Sequence, residues 1–457
     1  MSFRIPLAKP EITDADREAV VEVLRTPYLS TGPKVAEFEG ALCDYTGAAH
    51  AVAVNSGTSA LQLAIRALGI EHGSEVVLPS FTFSAVLNVI LLEGLCPRFV
   101  DIDPRTYNCS AEALLAAVTK ETKLVIAVHT FGFPVDVATI LEGLPRRARN
   151  KKIVVIEDAC EALGAEVHRR KAGTVGDAGL FAFYPNKQIT TGEGGMLVTS
   201  DPRLARRAAQ LRNQGRDPSL GWHSHAEIGF SYRISDINCA LGISQLARIE
   251  DVIARRQKLA ETYDRELANI PEIIRPALEC AVGRISWFVY PVQLEAEFTA
   301  DDRDRICESL LQKGIATGRY FAPLHGQPVL ASRSLAKGNS QKLPTTEDTK
   351  VHEGSVRHQP PSISGKGGST PPETKRAPAA QRRNINSPAR QCREGICNTD
   401  TVRFSGRHDF EEQYLPKTNF VAERVIQLPF FNELTEGQIR EVCRALKHVI
   451  QDARCNT

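Results

Sequence analysis

Between residues 50 and 215 the chain alternates short apolar runs with amphipathic stretches, and this rhythm constrains the fold more than any other feature. Glu75–Pro79, Arg98–Asp101, Lys123–Val128 and Ile153–Ile156 read as strands. Ala85–Glu93, Ala111–Val118 and Val137–Leu144, which lie between them, have helical spacing. Strand–helix–strand repetition predicts an α/β fold, with a mainly parallel central sheet and helices on both faces. Ligand loops of such a sheet lie at the C-terminal ends of its strands. A long helical pattern over Ser235–Leu267, apolar at Leu241, Ile243, Leu246 and Ile249, leads into a smaller α+β C-terminal domain. There Ile285–Leu294 reads as a strand, and Asp301–Leu311 and Glu436–Ile450 as helices, the last capped by Thr435.

Three segments of the α/β part carry chemistry. Phe181-Ala-Phe-Tyr-Pro-Asn-Lys187 places a lysine after an aromatic run and ahead of the Thr190-Thr-Gly-Glu-Gly-Gly195 turn. Partial desolvation there favours the neutral amine, a nucleophile toward aldehydes, although a lysine taken alone reads as a solvated surface charge. Val154-Val-Ile-Glu-Asp158 is a buried-type strand ending in carboxylates. Asp158 reads equally as a helix cap or as a partner for the ring nitrogen of pyridoxal phosphate, which it would keep protonated. In Asn55-Ser-Gly-Thr-Ser59 small residues open an amphipathic helix. Gly57, Thr58 and Ser59 there form either a phosphate cup or a plain capped helix start.

Taken in this order, phosphate cup, strand-end aspartate and lysine before a Gly-rich turn resemble the fold-type I pyridoxal-phosphate enzymes. More narrowly, the chain resembles the DegT/DnrJ/EryC1/StrS family of sugar aminotransferases, from Ile5 to His325 and again from Leu415 onward. Further matching motifs are Thr31-Gly-Pro33, Pro79-Ser-Phe-Thr-Phe83, Gly229-Phe-Ser-Tyr-Arg-Ile-Ser-Asp236 and Tyr320-Phe-Ala-Pro-Leu-His325. The resemblance implies a pyridoxal 5′-phosphate cofactor bonded by Lys187, which then acts as general base, with Asp158 at the ring nitrogen. It places Phe83 against the cofactor ring, where a core phenylalanine is the other reading, and Glu161 near the cofactor's 3′-oxygen, where many relatives have glutamine. It gives Ser231 a place where relatives contribute an asparagine to the neighbouring subunit's phosphate. Ala182 stands where many of them have a serine for the same phosphate. Thr31, Arg233, Tyr320 and His325 are placed on the substrate side, although Arg233, Tyr320 and His325 read equally as structural residues. One branch of the family replaces the lysine with histidine and dehydrates its substrate; Lys187 argues against that branch.

The function implied is transfer of an amino group, from L-glutamate, to a keto group of a nucleotide-linked deoxysugar, by a homodimer with shared active sites. Two alternatives stand beside it: another fold-type I reaction such as a lyase or aldolase, and a non-catalytic interaction protein. The second would use the Ser-, Pro-, Gly-, Lys- and Arg-rich stretch over 331–413, whose composition predicts a disordered insertion. The expected organisation is a large cofactor domain over 1–250 and a small domain split between 251–330 and 414–457 around that insertion. Lys+Arg 56 against Asp+Glu 54 leaves a net charge of +2, which gives no global case for nucleic acid. No apolar h-region precedes Arg4 and no apolar run reaches the ~20 residues of a membrane span. With 11 cysteines and no metal-ligand spacing, free thiols, no metal and a cytoplasmic location are expected.

Overall fold

A computed structural model of the chain describes residues 3–145, 152–217, 219, 224–330 and 414–455. The insertion read over 331–413 lies outside the described residues. Thirteen strands are present among those described: β1 (His50–Val54), β2 (Glu75–Pro79), β3 (Cys96–Val100), β4 (Thr122–Val128), β5 (Val154–Asp158), β6 (Glu166–Val167), β7 (Arg170–Lys171), β8 (Ala178–Ala182), β9 (Gly195–Thr199), β10 (Ile273–Ile274), β11 (Gly283–Arg284), β12 (Tyr290–Leu294) and β13 (Val425–Leu428). Seven form the central sheet in the order β1-β9-β8-β5-β4-β2-β3. Strands β8, β5, β4, β2 and β3 are parallel. Because β9 is antiparallel to both neighbours, β1 again runs with the rest. The C-terminal ends of β1, β2, β4, β5 and β8 therefore share one edge, where a ligand is expected.

Both faces of this sheet are buried, which is why its strands read as continuous apolar runs. Along β4, Leu124, Ile126 and Val128 enter one hydrophobic cluster, and Val125 and Ala127 another. The second cluster continues without a break through Tyr290, Val292, Val425 and Leu428 of the small sheet β10-β12-β13. Chain on both sides of the insertion thus builds that small sheet. The third sheet, β11-β6-β7, is a short ribbon.

Two elements differ from the sequence reading. The long pattern over Ser235–Leu267 is two helices, Asp236–Leu246 and Ile249–Leu267. Arg248, at the break, turns its guanidinium onto buried Asp16, with both contacts at 2.8 Å. The strand expected over Ile285–Leu294 starts only at Tyr290, because Trp287 sits at φ 50°, a left-handed conformation that no strand accommodates.

Candidate active site

Loops leaving five strands meet at the shared edge. After β1, Ser56 caps the helix Gly57–Leu68, its hydroxyl accepting from Ser59 N–H at 3.1 Å. Ser59 Oγ is 2.9 Å from Ser56 Oγ, so Ser59 completes the cap. Of the three residues read as the cup, Gly57 and Thr58 have no such cap bond to Ser56 Oγ. A Cβ on Gly57 would lie 2.8 Å from Cys160 Sγ and 2.9 Å from Ala182 Cβ. Glycine is needed there so that the helix end can press against the floor of the site.

Strand β5 delivers the carboxylates. Asp158 is 9% exposed and accepts from Cys160 N–H at 3.1 Å, while its carbonyl accepts from His129 N–H at 3.0 Å. Glu157 points to the opposite face, as strand alternation requires. His129 Nδ1 accepts from Val135 N–H, so the ring proton sits on Nε2 and is donated to Glu157 at 3.0 Å. Burial pushes the Glu157 carboxyl up, but His129 and the N–H groups of Gly176 and Gly173 outweigh it and hold the group below its ordinary value. Glu157 thereby clamps the turn after β7 beneath Asp158.

Lys187 lies in the turn after β8, its N–H donating to Tyr184 O at 2.9 Å. Nζ is 3.6 Å from Glu161 Oε1 and 4.0 Å from the centroid of the Phe288 ring. Burial raises the Glu161 carboxyl, and the charge of Asp158 adds to this; Lys187 and the N–H of Phe131 pull it part of the way back. Phe131 N–H donates to Glu161 Oε2 at 2.9 Å.

On the outer side, Phe83 is 59% exposed, which removes the core reading, and its ring is 6.3 Å from that of Phe321. Burial raises the Tyr320 phenol. Ser80 Oγ is 2.6 Å from His325 Nδ1 and accepts from His325 N–H at 3.2 Å. Thr31, Ser231 and Arg233 lie elsewhere. The loop holding Thr31 is pinned when Gly32 and Lys34 N–H groups donate to Asp236 at 2.5 and 2.8 Å. Ser231 is exposed and pairs through its backbone with Asn213, whose Oδ1 accepts from Arg233 at 3.1 Å. No contact joins these three to Lys187 among the described residues.

The residues present fit pyridoxal phosphate. Buried side-chain oxygens of Asn55, beside the cup, and Asn186, beside Lys187, have no hydrogen-bond partner. Such orphaned acceptors are costly unless a donor meets them, and turning either amide about its last bond presents its NH2 to a phosphate or phenol oxygen of the cofactor instead. A phosphate suits the helix N-terminus, Asp158 suits a protonated ring nitrogen, and Lys187 suits an aldehyde. Cys43, Cys96, Cys109, Cys160, Cys239, Cys280, Cys307 and Cys443 are free, and among the described residues no group of side chains could hold a metal ion.

The DegT/DnrJ/EryC1/StrS aminotransferase family model matches residues 10–360. The chain belongs to this family. It is 39% identical to the GDP-perosamine synthase of Caulobacter vibrioides over 72% of this chain and 87% of that one. It is 36% identical to the spore coat polysaccharide biosynthesis protein SpsC of Bacillus subtilis over 71% and 85%. The solved aminotransferase TlmJ of Streptoalloteichus hindustanus superposes with a TM-score of 0.74 at 26% identity, covering 98% of this chain and 99% of that one. The α/β aminotransferase fold and family expected from the motifs are thus found.

The sequence reading left Ser80, Gln188, Ser286 and Phe288 without a role at the site. Ser80 falls inside a quoted motif, but its partner His325 is 245 residues away. Phe288 hides in a run whose alternation reads as strand.

Proposed function

We propose that this pyridoxal-phosphate-dependent aminotransferase moves an amino group from L-glutamate to a keto group of a nucleotide-linked deoxysugar. The observation that carries this is the placement of Lys187 Nζ, 3.6 Å from buried Glu161, on the loop edge that also holds Asp158 and an open helix N-terminus. The relatives named for perosamine and coat polysaccharide synthesis support a sugar acceptor. Bound pyridoxal phosphate supplies an electron sink for the carbanion formed at the substrate carbon.

The chain's own groups do the rest. Asp158 holds a proton at the ring nitrogen. Lys187 Nζ would condense with the cofactor's aldehyde with loss of water and, once displaced by the donor's amine, would take a proton from the substrate carbon and return it to the former aldehyde carbon on the far side of the nitrogen between them, within reach of one amine on one face. With Ala182 and Ser231 in place of the usual phosphate ligands, Gly57 and Thr58 N–H groups carry the phosphate. Phe83 covers the ring, and Tyr320 and His325 face the acceptor, while Thr31 and Arg233, on loops that meet near Asp236 away from this Lys187, would complete the substrate side of the second copy's site.

A homodimer is part of the proposal. Tyr28, Leu29, Tyr184 and Ile228 are large apolar residues left 46–91% exposed, which suits burial against a second copy. Sedimentation at assay concentration should give a dimer; a fully active monomer would contradict shared sites. No helix among the described residues is long and apolar enough to cross a membrane, and a cytoplasmic enzyme is proposed.

The deciding experiment is a visible spectrum of the purified protein before and after glutamate. A cofactor band that glutamate alone bleaches supports a transaminase. A band indifferent to every amino donor would point to a lyase or aldolase, and no band at all would sink cofactor chemistry.

A further inference from the structure

Residues 286–288 fold back on the turn that follows β4. Ser286 N–H donates to Gly132 O at 3.1 Å, and Phe288 N–H to Phe131 O at 2.9 Å. Gly132 has φ +90°, and a Cβ there would lie 2.7 Å from Trp287 N, so the two turns close only around glycine. From behind, buried Arg256 donates Nη1 to the carbonyls of Trp287 and Phe288 at 3.0 and 3.1 Å. The Trp287 indole N–H is tied to Gln257 at 2.7 Å. Phe288 is left 2% exposed, with its ring held against the Lys187 amine.

Glu161 is fixed just as firmly. Its carboxylate accepts from Phe131 N–H, and its backbone carbonyl accepts from Gln188 Nε2 at 2.6 Å. Gln188 Nε2 also reaches Ser286 Oγ at 3.1 Å. Ring and carboxylate thus belong to one hydrogen-bonded frame around Lys187.

We propose that Phe288 and Glu161 form a cradle that holds the Lys187 ammonium whenever the lysine is not bonded to cofactor. This rests on the reading of Lys187 as the cofactor lysine. A ring face at 4.0 Å lies inside cation–π range. A carboxylate oxygen at 3.6 Å is beyond hydrogen-bond length. Attraction from two sides keeps the amine near its reacting carbon without a short bond that must first break. The acid at position 161 supplies a charge that the glutamine of many relatives lacks. Phe288 is a positioning residue, and Arg256 and Gly132 set its place.

The test is the reactivity of Lys187 itself. The enzyme is loaded with pyridoxamine phosphate, which leaves the lysine free, and a parallel sample is stripped of cofactor. Both receive a brief pulse of formaldehyde and borane, and methylation of Lys187 is measured by peptide mass spectrometry against exposed Lys152. Phe288→Leu should raise relative labelling of Lys187 by about 2- to 30-fold, the range that cation–π energies convert to. Glu161→Gln, nearly isosteric, should raise it as well, and Phe288→Tyr should stay within about twofold of the parent because the ring face remains. In turnover, Phe288→Leu should lower kcat while leaving KM for the donor unchanged. Parent-like labelling in Glu161→Gln, or Phe288→Tyr behaving as Phe288→Leu, overturns the cradle. If the parent takes up no pyridoxal phosphate, the functional reading fails separately, and labelling of the stripped protein still decides the cradle.

Discussion

In the proposed reading Lys187 and Asp158 divide the chemistry between them, and each substitution has its own signature. Lys187→Ala removes both the group that bonds the cofactor aldehyde and the base, so turnover should fall to background. The lost charge leaves Glu161 buried and raises its carboxyl further. The melting temperature should therefore stay within roughly 5 °C of the parent. Transamination above a trace would remove the lysine from its role. Asp158→Asn should retain the cofactor but lose about 100-fold or more in kcat, since an amide does not hold a proton at the ring nitrogen. A near-normal rate would mean that another group does so. The positions of both residues were legible in the sequence because Asp158 ends its strand and Lys187 follows one, each in a local pattern. Glu161 was legible in position, and the proposed cradle uses its charge against Lys187. Ser80 and Phe288 were not, because their partners arrive from distant segments that only the folded chain juxtaposes.

The helices and parallel strands of the large sheet fall within about two residues of where their apolar periodicity put them, since burial on both faces leaves no competing pattern. The reading failed where a side chain far away decides the backbone: Asp16 at Arg248, and Arg256 with Gly132 at Trp287. A further joint of this kind is Glu250, at the start of the helix Ile249–Leu267. It accepts from Arg284 of β11 at 2.7 and 3.0 Å, from Lys171 of β7 at 3.0 Å and from Tyr45 at 2.7 Å. Hydrogen bonding from Arg284 chiefly, helped by Tyr45 and Lys171 and opposed by burial, lowers its carboxyl from 4.5 to about 2. A carboxyl depressed on folding adds stability that is present above the unfolded value and is lost as pH falls toward the folded one. Glu250→Gln should therefore melt below the parent at neutral pH, and the gap should narrow as pH drops below 4.5 toward about 2. A gap of constant size across that window would show that the ion pairs contribute nothing to folding, as exposed pairs sometimes do.

At the scale of the whole molecule the question is what the chain over 331–413 demands of the enzyme around it. Its flanks are hung on neighbouring strand ends. Leu324 N–H donates to Ser80 O at 2.8 Å, just after β2. Thr418 N–H and Oγ1 both reach Asp101 Oδ1 at 2.7 Å, just after β3. Ser80 N–H and Val100 O join those ends at 3.2 Å. Leu324, Leu330 and Leu415 enter one hydrophobic cluster. The two flanks therefore lie side by side without help from the segment between them. Closing a long loop costs only about 0.6 kcal/mol more for each doubling of its length, so shortening it should change stability little. Replacing residues 335–410 with a short Gly/Ser linker should preserve the cofactor band, its bleaching by glutamate and the melting temperature. Unchanged half-reaction with lost turnover on the sugar would place the segment at the acceptor. Loss of the band as well would make it part of the fold, against its composition.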